Sequence, residues 1–178
     1  LPDSRGGLWV GTYTGLFYFP TGEIDPMRQS HLLESKLITC VTEDRDGSIL
    51  VGTSTGLFRV RDGVVLPIDG MPHPYVLSLT LDSTGHAWTG TKAGGLAWVH
   101  QEQATPLPAS SGITPLLVNT AIEDKDGHLW LGTSRGIVRL SLTELHEVAE
   151  GRLSQLSTVV FGKGDGMRSS ECGGASNP

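Results

Sequence analysis

The residues of this chain that could do chemistry fall into a few small groups, and each group has a plainer reading beside it. Asp44-Arg-Asp-Gly47 and Asp124-Lys-Asp-Gly127 look like the opening of a calcium loop. A calcium hand needs a 12-residue loop closed by a bidentate glutamate, whereas here a strand-like run starts directly after the glycine, so both read as tight turns. The six histidines contain no H-x-x-x-H pair. His86 and His128 stand at equivalent places after Gly85 and Gly127 and read as solvated turn residues, so no metal ligand set and no cofactor is expected. Cys40 and Cys172 lack CxxC spacing, which disfavours zinc, and whether they are bonded to each other cannot be read. Gly162-Lys-Gly-Asp-Gly166 is glycine-rich but has neither the spacing nor the Ser/Thr of a phosphate loop. No catalytic residue is assigned.

The elements that must position any site are four copies of one phrase. They are Gly6-Gly-Leu-Trp-Val-Gly-Thr-Tyr-Thr-Gly15, Gly47-Ser-Ile-Leu-Val-Gly-Thr-Ser-Thr-Gly56, Gly85-His-Ala-Trp-Thr-Gly-Thr-Lys-Ala-Gly94 and Gly127-His-Leu-Trp-Leu-Gly-Thr-Ser-Arg-Gly136. The glycine before the shared threonine falls at Gly11, Gly52, Gly90 and Gly132, which are 41, 38 and 42 residues apart. A period near 40 built from strand-like pieces is the mark of propeller blades, each a four-stranded antiparallel sheet. Helical repeats would instead space apolar residues by three and four. The chain is therefore expected to be all-β, a partial β-propeller of about four blades with one short helix near 141–150.

Taken in order, residues 1–36 hold a first blade remnant with strands at 8–12 and 16–19 and no inner strand before them. Residues 37–74 form a complete blade, with inner strand A at 37–43, B at 48–53, C at 57–60 and D at 64–68, joined by Asp-Gly turns that supply positive φ. Residues 75–117 repeat this with A at 75–81, B at 86–91 and C at 96–100, and the extra Gly95 predicts a bulge or longer hairpin. Residues 118–163 hold the fourth, with A, B and C at 118–123, 128–133 and 137–140. There Ser141-Leu-Thr-Glu144 reads as a capping box opening a helix that Gly151 ends, before an outer strand at 156–161. Residues 164–178 read as the start of a further blade, within one domain spanning 1–178. Because Leu1 opens in mid-repeat, an excised fragment is expected, too short to close a ring and prone to self-associate through open blade faces or to borrow its own tail as a missing inner strand.

Composition narrows the function. With 178 residues, net charge −6 and no Lys/Arg cluster, the chain lacks the electrostatic footprint of a nucleic-acid binder. No apolar run reaches the length of a membrane span, and no signal peptide opens the chain. The 24 glycines suit tight hairpins better than helices.

In strand B the apolar residue and the Trp or Leu beside it point to opposite faces of the blade, each toward a neighbour. Trp9, Trp88 and Trp130 then need partners for their indole N–H groups. Gly11, Gly52, Gly90 and Gly132 mark close packing, and the threonine hydroxyl can bond into the next turn. All of these read as structural. In this strand order the B–C turns and D–A connections emerge together, so Tyr13, Lys92 and Arg135 from the turns and His73 and Tyr75 from a connection are the candidate ligand-binding residues. They differ between copies while the framework does not.

The phrase DxxGxLWxGTxxGL, at Asp44–Leu57 and Asp124–Ile137, together with the tail FGKGDGMRSSECGGASNP, resembles the two-component regulator propeller repeat of bacterial membrane sensors. The resemblance covers nearly the whole chain. It implies a noncatalytic sensor module from the periplasmic region of a hybrid histidine kinase or related signalling protein, attached to the membrane only through other parts of its parent, that receives or relays a signal. The resemblance does not supply the ligand, for which a small molecule or glycan is the expectation. A propeller-type lyase or glycosidase, or a protein-interaction scaffold, is the alternative. The acids of the inner strands lie at strand ends beside turns, which favours the sensor.

Overall fold

The computed structural model describes residues 1–20, 24–25, 29–111, 116–169 and 171–172. Fifteen strands make four antiparallel sheets, packed face to face in chain order. The first is β1 (Leu8–Gly11), β2 (Leu16–Phe19) and β3 (Ser30–Leu32). The second is β4 (Ile38–Glu43), β5 (Ile49–Thr53), β6 (Gly56–Arg61) and β7 (Val64–Ile68). The third is β8 (Val76–Leu81), β9 (Ala87–Thr91), β10 (Leu96–His100) and β11 (Gln103–Pro106). The fourth is β12 (Val118–Glu123), β13 (His128–Thr133), β14 (Gly136–Ser141) and β15 (Thr158–Phe161), with α1 (Leu142–Ala149) between its last two strands.

Each sheet is a meander, as consecutive hairpins require, and among the described residues no sheet closes on itself. Two strands exceed the sequence expectation: β3 gives the first blade an outer strand, and β11 does the same for the third. The first blade lacks a full inner strand, although Leu1 and Trp9 exchange backbone hydrogen bonds of 2.9 and 2.8 Å and Pro2 bridges Leu8.

The core lies between blades. Trp9 and Leu16 of blade 1 pack on Ile49, Val51 and Val60 of blade 2. Leu50 and Leu57 of blade 2 pack on Leu79, Ala87 and Val99 of blade 3. Trp88 and Leu96 of blade 3 pack on Leu129, Leu131, Val138 and Leu140 of blade 4 and on Leu142, Leu145 and Val148 of α1. Adjacent strand-B residues thus do serve opposite neighbours.

The repeat glycines are hollows that receive the following blade. A Cβ on Gly11 would lie 2.6 Å from Ile38 Cγ2, on Gly52 2.6 Å from Val76 Cγ1, and on Gly90 2.7 Å from Val118 Cγ1. On Gly132 it would meet Thr120 Cγ2 at 2.8 Å and Cys172 Cβ at 3.4 Å. Cys172 therefore stands where Ile38, Val76 and Val118 begin inner strands. Its N–H donates to Thr133 O at 3.1 Å, as that of Ile38 donates to Thr12 O at 2.9 Å. The described part of the tail leads on from blade 4; the rest of the expected further blade, 173–178, lies outside the described residues.

Local expectations meet three refinements. Gly95 does lengthen its hairpin, with φ 74 and its carbonyl accepting from Thr91 N at 3.0 Å, but the register shifts sit in the inner strands, between Ile38/Cys40, Val76/Ser78 and Val118/Thr120. The capping box is half made. Ser141 Oγ accepts from Glu144 N at 3.5 Å, while the Glu144 carboxylate accepts instead from Ser157 N at 2.6 Å, tying the helix to the segment before β15. The cysteines are free, and burial pushes the Cys40 thiol up to about 12.

Candidate functional site

The rim formed by the B–C turns and D–A connections is built alike in every blade. The threonine after each repeat glycine donates its hydroxyl across the turn: Thr12 to Gly15 O, Thr53 to Gly56 O and Thr133 to Gly136 O at 2.8 Å, and Thr91 to Gly95 O at 3.2 Å. On this frame His73, Tyr75 and Lys92 come together. Tyr75 N donates to His73 Nδ1 at 3.0 Å, Lys92 N donates to Tyr75 O at 3.0 Å, and Lys92 Nζ lies 5.4 Å over the Tyr75 ring. The blade before carries a counterpart, with Lys36 Nζ 5.2 Å over the Phe58 ring and 3.2 Å from Thr55 Oγ1. Beside Phe58 a cleft of about 300 Å³ is lined by Thr55, Met71 and Pro74. Cationic heads over aromatic faces suit a polar ligand with hydroxyl or carboxylate groups. Tyr13, 85% exposed, and Arg135, also exposed, stand on blades 1 and 4 and are not joined to this cluster.

The opposite rim, made of the A–B turns, is tied down by carboxylates. Asp3, Asp82 and Asp124 each accept the indole N–H of the strand-B tryptophan six residues on, at 2.9, 2.8 and 2.6 Å. Their other oxygens accept backbone N–H groups of the turn. For Asp124 the Trp130 indole and the His128 N–H lower the pKa to about 2. Burial alone would raise that of Asp82, but hydrogen bonds from Thr84, Trp88, His146 and His86 outweigh it and hold the carboxyl well below the usual range. The acids ending the inner strands brace neighbouring turns. Glu43 accepts from Ser4 N at 2.8 Å, and Glu123 accepts from Ser83 N at 2.6 Å. Where Leu81 replaces the acid, Arg45 reaches the Ser83 carbonyl instead.

On this rim the structure assembles a group that the sequence does not announce. His146 of α1 donates from Nε2 to Asp82 Oδ2 at 2.7 Å, and His86 Nδ1 lies 3.8 Å from Asp82 Oδ1. The two imidazoles are 4.3 Å apart, centroid to centroid, with Trp98 5.6 Å from His86 and Trp88 5.9 Å from His146. His86 is therefore half-buried in a cluster rather than a solvated turn residue, and burial together with His146 lowers its pKa. His128 is likewise half-buried, 3.5 Å from Asp124 Oδ2. A signal for His146 did exist: it stands four residues after Leu142, on the side of α1 that carries Leu145.

Residues 112–135 match the family model described as two component regulator propeller. No curated protein is significantly similar in sequence. Among solved structures, the chain is similar to an extracellular domain assigned to a hybrid two component system of B. thetaiotaomicron, with 24% identity, TM-score 0.71, and 96% of this chain and 23% of that one covered. A second B. thetaiotaomicron extracellular domain, assigned to a one component system, gives 20% identity, TM-score 0.67, and coverage of 95% and 23%. Virginiamycin B lyase from Staphylococcus aureus gives 12% identity, TM-score 0.61, and coverage of 90% and 54%. The chain thus spans about a quarter of the length of the first two. Four in-phase repeats fold as successive blades, and the fourth carries the match to the two component regulator propeller model.

Proposed function

We propose that this chain is a noncatalytic, extracytoplasmic portion of a sensor propeller in a bacterial two-component signalling protein. Its rim of B–C turns and D–A connections would receive a small-molecule or glycan ligand, and a histidine kinase or related output would lie elsewhere in the parent. The observation that carries this reading is the His73–Tyr75–Lys92 cluster, a recognition-type group on a scaffold whose other polar side chains are largely spent on holding turns and blades together. The similarity to extracellular domains of a hybrid two component system and of a one component system supports the sensor role and the location. Among the described residues no helix is long and apolar enough to cross a membrane.

A glycan and metabolite panel, read by calorimetry on this chain, tests the proposal. The reading expects a ligand whose binding is lost in Tyr75→Ala and Lys92→Ala. A ligand indifferent to both changes would overturn the site assignment. The likeness to a lyase favours one other reading, an enzyme. Mass spectrometry of the bound ligand after incubation separates the two, because a sensor returns it unchanged. Self-association is proposed through the open face of blade 4, where Ile122 (56% exposed), Trp130, Arg139 and Val159 form one cross-strand row. Sedimentation equilibrium that stays monomeric at all concentrations would refute it.

A further inference from the structure

The Asp82–His86–His146 cluster is more than a turn staple. In blade 4 the same staple recurs without the third member. There Asp124 holds the Trp130 indole, and His128 follows four residues after the aspartate, as His86 follows Asp82. Among the described residues a second imidazole arrives in blade 3 alone, because α1 of blade 4 reaches across and delivers His146. The donor atoms of all three residues lie within 4.8 Å of one another. Asp82 is buried, and the two histidines are partly open to solvent.

From this juxtaposition we infer that Asp82, His86 and His146 form a binding site for a zinc-class divalent ion, bridging the A–B turn of blade 3 to the helix of blade 4. Two imidazoles and one carboxylate are the donor set of borderline first-row ions such as zinc, cobalt and nickel, while calcium and magnesium want oxygen. Bonds to such an ion run about 2.0–2.2 Å, which places tetrahedral ligands roughly 3.3 Å apart. The 2.7 Å separation of His146 Nε2 from Asp82 Oδ2 and the 3.8 Å separation of His86 Nδ1 from Asp82 Oδ1 bracket that value. Small ring movements are enough to seat the ion. Asp82 is already held in place by the Trp88 indole and the His86 N–H, as a ligating carboxylate should be. Thr84 Oγ1, now 2.7 Å from His86 Nδ1, must give way. The Nε2 proton that His146 now shares with Asp82 moves by way of solvent to the Nδ1 of the same ring, which frees the Nε2 lone pair for the ion. Solvent fills the remaining position from the open side of His86.

Blade 4 supplies the internal control. Cobalt(II) titration of this chain, followed by its visible d–d absorption and displaced by zinc, is expected to give one site. His86→Gln and His146→Gln should each weaken binding by at least about tenfold, and His128→Gln should leave it unchanged. Zinc should raise the melting temperature of the wild type and of His128→Gln, but not of His146→Gln. His86→Gln changes a half-buried ring outside the interblade core, so its loss of binding cannot be an unfolding effect if its circular dichroism is unchanged. Absence of cobalt bands, full binding in the His86→Gln/His146→Gln double variant, or loss of binding in His128→Gln would each overturn the assignment.

Discussion

Blades 2 and 3 solve the same problem with different chemistry. In blade 3 the strand-B aromatic Trp88 is fully buried and gives its indole N–H to Asp82. In blade 2 the equivalent residue is Leu50, which has no donor, yet Asp44 is not left unpaired. Arg59, paired across the sheet with Leu50, donates from Nη1 to Asp44 Oδ2 at 2.6 Å and to Ser48 Oγ at 2.6 Å, and from Nη2 to the Gln101 carbonyl of blade 3 at 3.1 Å. At the same cross-strand position the other blades place Tyr18, Trp98 and Arg139. The constant of the repeat is thus the carboxylate in the turn, and its side-chain donor is exchangeable between indole and guanidinium.

That equivalence can be broken from either side. The largest effect is expected for Trp88→Ala, which empties the fully buried slot and strips Asp82 of a donor. A loss of about 3–5 kcal/mol should appear in urea unfolding. Arg59→Met should come next, at about 2 kcal/mol, because it strips the partly buried Asp44 carboxylate of its guanidinium partner. Adding Asp44→Asn, which keeps the oxygen that accepts from Arg45 N, should recover much of that loss. If the double variant is no better than Arg59→Met alone, unpaired charge is not the cause.

Acid sharpens the comparison further. The folded pKa of Asp124 is about 2, below its usual value near 3.8, so its contribution to stability is present above about pH 4 and disappears as pH falls toward 2. Asp124→Asn should flatten that part of the stability-versus-pH curve. The smallest effect is expected on the other rim, where Lys92→Ala, at an exposed position, should shift stability by less than about 0.5 kcal/mol.

What could be read from the sequence follows from where constraint is densest. The inner three strands of the complete blades carry the glycine, threonine and Asp-Gly signals, and their bounds fall within a residue or two of expectation. The outer strands β3 and β11 escape because Ser30-His-Leu32 and Gln103-Ala-Thr-Pro106 are polar edges with no alternation imposed by a second covered face. His73, Tyr75 and Lys92 could be gathered by topology alone, since one connection and one neighbouring turn hold all three. The pairing of His146 with Asp82 could not, for 64 residues separate them and their meeting depends on how a helix inserted between two strands lies across the preceding blade.

The glycine hollows also set a direction. Cys40, Ser78 and Thr120 of the blade's own inner strand wall the hollows of Gly52, Gly90 and Gly132, and the plug from the next stretch of chain follows each glycine: Ile38 for Gly11, Val76 for Gly52, Val118 for Gly90 and Cys172 for Gly132. During synthesis every finished blade therefore waits with its socket open toward the ribosome, and the next few dozen residues provide the plug. Folding can advance blade by blade behind the growing end, and the last socket always belongs to the most recently made blade.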